Sequence, residues 1–198
     1  MDTREANRRT LAAYEAHVED YLADLPASPT SELTALFDRV AALAPGGSVL
    51  EIGCGPGQSA LELERRGLTV RRTDATVAFV ERLRTLGYDA DVLDARTDDL
   101  GGPYDVLLAN AVLLHLSRED LTELVQRAAT AVRYLAFTVK EGDGEAWTTR
   151  KLAAPRWFVY WREPALREVL AAAGWQVVSL EHHRGRYDDW LTVLAERT

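Results

Sequence analysis

Cysteine is almost missing from this chain: Cys54 is the only one in 198 residues. That excludes an intrachain disulfide and a cysteine-built metal cluster. Lysine is nearly as scarce, with Lys140 and Lys151 the only two among 23 basic residues. The arginine and alanine excess reads as a bias of genome composition, without functional content. No apolar run approaches the roughly 20 residues of a membrane span. Residues 1–20 are too polar for a secretory signal, so a cytoplasmic location is expected. A surplus of positive charge is also lacking. The net charge of −8 opposes nonspecific docking on nucleic acid or anionic lipid, and neither partner is expected.

What is present fits one α/β domain over residues 1–198. Residues 3–24 and 31–44 carry apolar positions at helical spacing, with Pro26, Ser28 and Pro29 between them. They form an N-terminal helical cap within residues 1–45. From Gly46 onward, short apolar runs alternate with amphipathic segments. Strands are expected at 48–52, 69–73, 90–93, 104–109, 132–139, 175–181 and 190–195. Helices are expected at 58–66, 76–86, 118–131 and 163–173. Ser117 and Asp120 make a capping box ahead of the third of these, and Pro164 opens the last. Strand–helix alternation implies a mostly parallel sheet covered on both faces, a three-layer sandwich. The last two strands, joined by a short loop, form an antiparallel hairpin.

The first strand ends in Val49-Leu50-Glu51-Ile52-Gly53-Cys54-Gly55-Pro56-Gly57. In open α/β sheets, ligands bind beyond the carboxyl ends of the strands, and glycines there let backbone pass close to a ligand. A dinucleotide fingerprint needs a third glycine at position 58, which is Gln58. The phosphate-loop Gly-Lys-Ser/Thr is absent. Glu51 repels pyrophosphate but attracts a cationic amino acid moiety, while helix N-terminal N–H groups receive a carboxylate. S-adenosylmethionine (SAM) combines ammonium and carboxylate without phosphate. Further along, Asp74 ends the second strand, where an acid accepts hydrogen bonds from ribose hydroxyls. Asp94-Ala95 follows the third strand, at the rim for an adenine amino group, and Asn110 ends the fourth. Cys54 reads as a small packing residue, with no base beside it to activate a thiolate.

In series, VLEIGCGPG, TDAT, LDA and YDVLLANAVLLHL resemble the successive motifs of class I, Rossmann-like SAM-dependent methyltransferases over residues 46–139, the SAM-binding core. The resemblance implies a seven-stranded sheet of order 3-2-1-4-5-7-6 with strand 7 antiparallel, and SAM as cofactor. It implies cofactor contacts at Glu51, Gly53, Cys54, Gly55, Gly57, Asp74, Ala75, Asp94, Ala95 and Asn110. Members of the family often close the cofactor site with N-terminal helices. Tyr14, His17 and Tyr21 share a helical face by spacing, and Tyr14 reads either as a reach to the cofactor carboxylate or as core.

Methyl transfer from a sulfonium is an in-line displacement that gains mainly from alignment and exclusion of water. The expected acceptor is a small molecule, methylated at oxygen or nitrogen. The Asn/Asp-Pro-Pro-aromatic motif of nucleic acid amino-methylating enzymes is not at 110–113. The Asp-Asn pair of metal-dependent catechol enzymes is not at 141–145, so no metal is expected. His115 stands near the pocket mouth, either as general base or as a tie for its loop. Residues 140–162 hold three of the five tryptophans and five basic residues. They read as a substrate lid, with Trp147, Trp157 and Tyr160 for an apolar or flat body and Arg150, Lys151 and Arg156 for an anionic edge. Other readings are a noncatalytic SAM-binding protein acting through partners, a methyltransferase of protein side chains and, disfavoured by Gln58 and Glu51, an NAD-dependent oxidoreductase.

Overall fold

Strand β1 (Ser48–Ile52) has four of its five residues buried, and a strand apolar on both faces belongs inside a covered parallel sheet. The computed structural model describes residues 2–198 and puts it there. Before β1 come α1 (Thr3–Ala16), α2 (Val18–Ala23) and α3 (Ser31–Leu43); after it come α4 (Gln58–Glu64), β2 (Thr69–Asp74), α5 (Val77–Thr85), β3 (Ala90–Val92) and β4 (Tyr104–Ala109). A 3₁₀ turn at Leu113–His115 leads to α6 (Arg118–Ala131), β5 (Val132–Glu141), β6 (Glu145–Thr148), β7 (Arg156–Val159), α7 (Glu163–Ala172), β8 (Trp175–Arg184) and β9 (Asp189–Arg197).

The seven-stranded sheet runs β3-β2-β1-β4-β5-β9-β8. Strands β1 to β5 pair in parallel, while β9 is antiparallel to both its neighbours. Since β8 and β9 are the sixth and seventh strands of this sheet, the order is the expected one. The difference lies in β6 and β7, which pair only with each other in a separate two-stranded sheet. Period-two alternation divides the core. Leu50, Ile52, Leu107, Leu135 and Phe137 face α6 and α7 through Leu121, Leu124, Leu166 and Leu170. Val49, Val106, Leu108 and Ala136 face α3 and α4 through Leu36, Phe37, Val40 and Leu63.

The N-terminal region departs from one helix over 3–24. At His17 the backbone leaves helical geometry (φ −133°, ψ 35°), so α1 and α2 meet at an angle. His17 turns to Asp20 at 3.1 Å and leaves the face that spacing assigns it with Tyr14 and Tyr21. The two tyrosines stay together, edge to face at 5.4 Å. Within the segment read as a lid, β7 is packed protein while residues 143–146 and 149–151 are exposed: all four residues of β7 are buried, and the Trp157 backbone N–H donates to Thr10 Oγ1 of α1 at 3.0 Å.

Candidate active site

The turn after β1 is shaped by two glycines. Gly53 has φ +62°, and a Cβ there would lie 2.3 Å from Val112 Cγ2. Gly55 has φ +51°, and its Cβ would meet no atom within 4 Å, because it borders open space. That space is a cavity of about 740 Å³ counted out through its mouth into open solvent. It lies where β1, β2 and β4 end, the expected ligand position in such a sheet.

Asp74 lines this cavity, held by the Gly55 N–H at 2.8 Å on Oδ2 and the Thr76 N–H at 2.7 Å on Oδ1. Burial raises its pKa against these stabilising N–H groups. With its orientation fixed, the carboxylate keeps lone pairs for incoming hydroxyl groups. Gly53, Gly55, Ala75, Asp94, Ala95, Asn110 and Tyr14 also line the cavity. Asp94, however, spends its carboxylate on Arg96, with contacts of 2.6 and 3.1 Å. What the third strand offers a ligand is Leu93–Ala95 as a rim, with Asp94 already paired to Arg96. Asn110 Oδ1 accepts from Thr138 Oγ1 at 3.0 Å, and the same Oγ1 accepts from the Ala111 N–H at 2.8 Å. These bonds hold Ala111 at φ 56°, a costly conformation for a residue with a Cβ.

Glu51, Cys54 and Gly57 do not reach the cavity surface. Glu51 is 2% exposed, and its Oε2 has no hydrogen-bond partner. Burial is the main cause that raises its pKa to about 8, opposed by Arg72. Cys54 packs against Val80, Leu83 and Ala90, and burial pushes its thiol up, so it is no nucleophile. Gly57 takes φ +81° as the N-cap of α4, beneath the site.

His115 is buried between two partners. Its Nδ1 lies 2.9 Å from the Trp157 carbonyl and its Nε2 3.0 Å from Tyr14 Oη. A carbonyl only accepts, so Nδ1 carries the proton and Nε2 accepts from the Tyr14 hydroxyl. Burial holds the imidazole neutral, its pKa lowered to about 3. Tyr14 Oη in turn accepts from Arg156 Nη1 at 3.2 Å. Tyr14, Tyr21, Ala111 and His115 line both the first cavity and a second one of about 630 Å³. They form the wall where the two meet.

The second cavity gathers Arg150, Lys151 and Arg156, as the sequence suggests, with Lys140, Phe158, Arg186, Asp188 and Trp190. The other aromatics expected there lie elsewhere. Trp157 is 1% exposed in the main core, Trp147 stacks under Arg9 at 4.4 Å, and Tyr160 packs on Gly142. Of these, Trp157 goes to the core because α1 covers β7. Sequence reading missed Asn7, Thr10 and Phe79 in the first cavity and Lys140, Arg186 and Asp188 in the second. Lys140 had a usable signal, since it stands near the carboxyl end of β5. Two of the three acids of 141–145 are engaged: Asp143 with Arg162 at 2.5 Å and Glu141 with His182 at 2.9 Å. No group of three metal-ligating side chains occurs among the described residues. None of the helices is long and apolar enough to cross a membrane.

A parallel sheet of this order, with a glycine turn and an acid at the ends of its first two strands, defines a class I methyltransferase fold. The family model of a methyltransferase domain matches residues 21–180, and the chain belongs to this family of SAM-dependent enzymes. No curated protein matches it by sequence. Among solved structures it is similar to the 1,6-didemethyltoxoflavin-N1-methyltransferase of Burkholderia thailandensis, with a TM-score of 0.73, 19% identity, and 98% of this chain and 89% of that one covered. It is similar to the CcbJ methyltransferase of Streptomyces caelestis at TM-score 0.71 and 17% identity, covering 94% and 98%. It also resembles the magnesium protoporphyrin IX methyltransferase of Synechocystis at TM-score 0.65 and 18% identity, covering 100% and 84%.

Proposed function

We propose that this enzyme transfers the methyl group of SAM to the oxygen or nitrogen of a small molecule, without metal and mainly by positioning. The observation that carries the reading is the pair of cavities meeting at one wall of Tyr14, Tyr21, Ala111 and His115. A donor chamber and an acceptor chamber that share a wall supply the alignment a displacement needs. Residues of the first cavity suit the cofactor. Asp74 presents an oriented carboxylate for hydroxyl groups, and Gly55 leaves room along the turn, with Gly53 on the cavity wall. When bound, SAM supplies an electrophilic methyl on a sulfonium.

His115 serves this arrangement as a positioning residue. Both ring nitrogens are engaged, and its lowered pKa makes it a weak base. Through Nε2 it orients Tyr14, which faces both chambers. The engagement of Glu141 and Asp143 by His182 and Arg162 supports chemistry without Mg²⁺. The structural neighbours named for 1,6-didemethyltoxoflavin and magnesium protoporphyrin IX support a small-molecule acceptor here.

The test is calorimetric. S-adenosylhomocysteine should bind one to one, NAD should not, and Asp74→Ala should cost about 1.5–3 kcal/mol of binding, as for loss of a charged hydrogen-bonding group. An Asp74→Ala protein that is folded and binds S-adenosylhomocysteine with unchanged affinity would remove Asp74 from the site.

A further inference from the structure

Arg156 is 3% exposed, yet no carboxylate ion-pairs with it among the described residues. Its Nη1 donates to Tyr14 Oη at 3.2 Å, its Nη2 to the Arg150 carbonyl, and its Nε has no partner. The guanidinium carbon lies 5.4 Å from the Tyr14 ring and 5.5 Å from the Phe158 ring. All of these neighbours are neutral. A buried arginine keeps its charge, and a buried charge without a counter-charge is expensive. The rest of the chamber deepens the imbalance. Lys140, 6% exposed, takes Asp188 at 2.7 Å, and Arg150 shares that same carboxylate at 3.3 Å. Lys151 and Arg186 stand at the rim, and neither forms an ion pair among the described residues. Five cations thus surround one carboxylate, in a chain whose net charge is −8.

We propose that the methyl acceptor carries an oxyanion, a carboxylate or phosphate, which docks in the second cavity and neutralises Arg156, with the rim cations drawing it in. This inference rests on the methyltransferase reading and narrows its acceptor class. Guanidinium is suited to oxyanions by its planar fork of donors. The flanking Phe158 and Trp190, with Lys140 Nζ 3.7 Å from the Phe158 ring centre and 5.7 Å from that of Trp190, give the body of such a molecule a flat apolar seat. Because Arg156 touches Tyr14 Oη, an anion on it stands next to the wall shared with the donor chamber. The oxyanion is the handle, and the reacting oxygen or nitrogen is another part of the molecule or the oxyanion itself.

The experiment uses the full chain saturated with S-adenosylhomocysteine, titrated calorimetrically at fixed ionic strength with benzoate, inorganic phosphate and benzamide, the neutral counterpart of benzoate. Saturable binding of benzoate or phosphate, at least tenfold tighter than benzamide, is expected. Arg156→Gln should lower that anion affinity tenfold or more while S-adenosylhomocysteine affinity stays within threefold. Arg156→Lys, which keeps charge but not the fork, should fall between. If neither anion saturates, or benzamide binds as well as benzoate, the proposal is overturned on the wild-type protein alone, whether or not the variants fold. A tenfold loss of S-adenosylhomocysteine binding in Arg156→Gln would also overturn it, since the guanidinium would then serve the cofactor carboxylate. Failure of S-adenosylhomocysteine to bind wild type would overturn the methyltransferase reading itself, a distinct result.

Discussion

Glu51 is costly to the free enzyme: its carboxyl is buried with an unpartnered oxygen. The folded pKa is raised to about 8 from the usual 4.5, so between these values the folded chain holds a proton that the unfolded chain releases. Stability from this group therefore falls as pH rises through that window and levels off above about pH 8. Glu51→Gln removes the dependence. Its melting temperature relative to wild type should climb between about pH 5 and pH 8.5. A constant melting difference across that range would contradict the burial account. Part of this was legible beforehand. The strand end made Glu51 and Asp74 stand out as acids near a ligand. That Asp94 pairs with Arg96 was not visible, since position on a strand says nothing about which nearby guanidinium a side chain takes. Trp157 misled for a related reason: an aromatic residue suits a core and a pocket equally, and only the packing of α1 over β7 decides between them.

Among the elements, periodicity and caps located every helix from α3 onward and all seven strands of the main sheet to within a few residues. The Ser117–Asp120 capping box is present in both directions, at 3.0 Å and 3.4 Å. The pair β6 and β7 lies inside the segment read as a lid, where no strand is expected. The break at His17 escaped notice because apolar spacing continues through it. Outside the site, His182 on β8 joins three elements, with Nδ1 2.9 Å from Glu141 and Nε2 2.7 Å from Glu163. These two carboxylates raise its pKa above the usual 6.5. The imidazolium clamp is thus fully present below that value and is lost as pH rises through the raised pKa. His182→Gln should lower the melting temperature more at about pH 5.5 than at about pH 9. The clamp is partly exposed, so the loss should be modest. An equal loss at both pH values would show that the carboxylates hold it by neutral hydrogen bonds alone.

At the scale of the whole molecule, the sheet order brings the carboxyl ends of β1, β2 and β4 to one rim, and α1 closes over it with β7 as its support. The sequence motifs foretold the first chamber because each sits at a strand end, where topology alone fixes position. The second chamber draws on β5, the loop before β7 and the β8–β9 turn, and such a convergence leaves no periodic trace. Its charge is also hidden in the chain average, which is acidic while this chamber is basic. The central claim is that donor and acceptor chambers meet at the Tyr14–His115 wall. A crystal structure of the complex with S-adenosylhomocysteine tests it most directly. The account predicts the ligand in the first cavity, a ribose hydroxyl on Asp74 and the sulfur turned toward Ala111 and His115. A ligand seated in the cationic second cavity, or a sulfur pointing away from that wall, would contradict it.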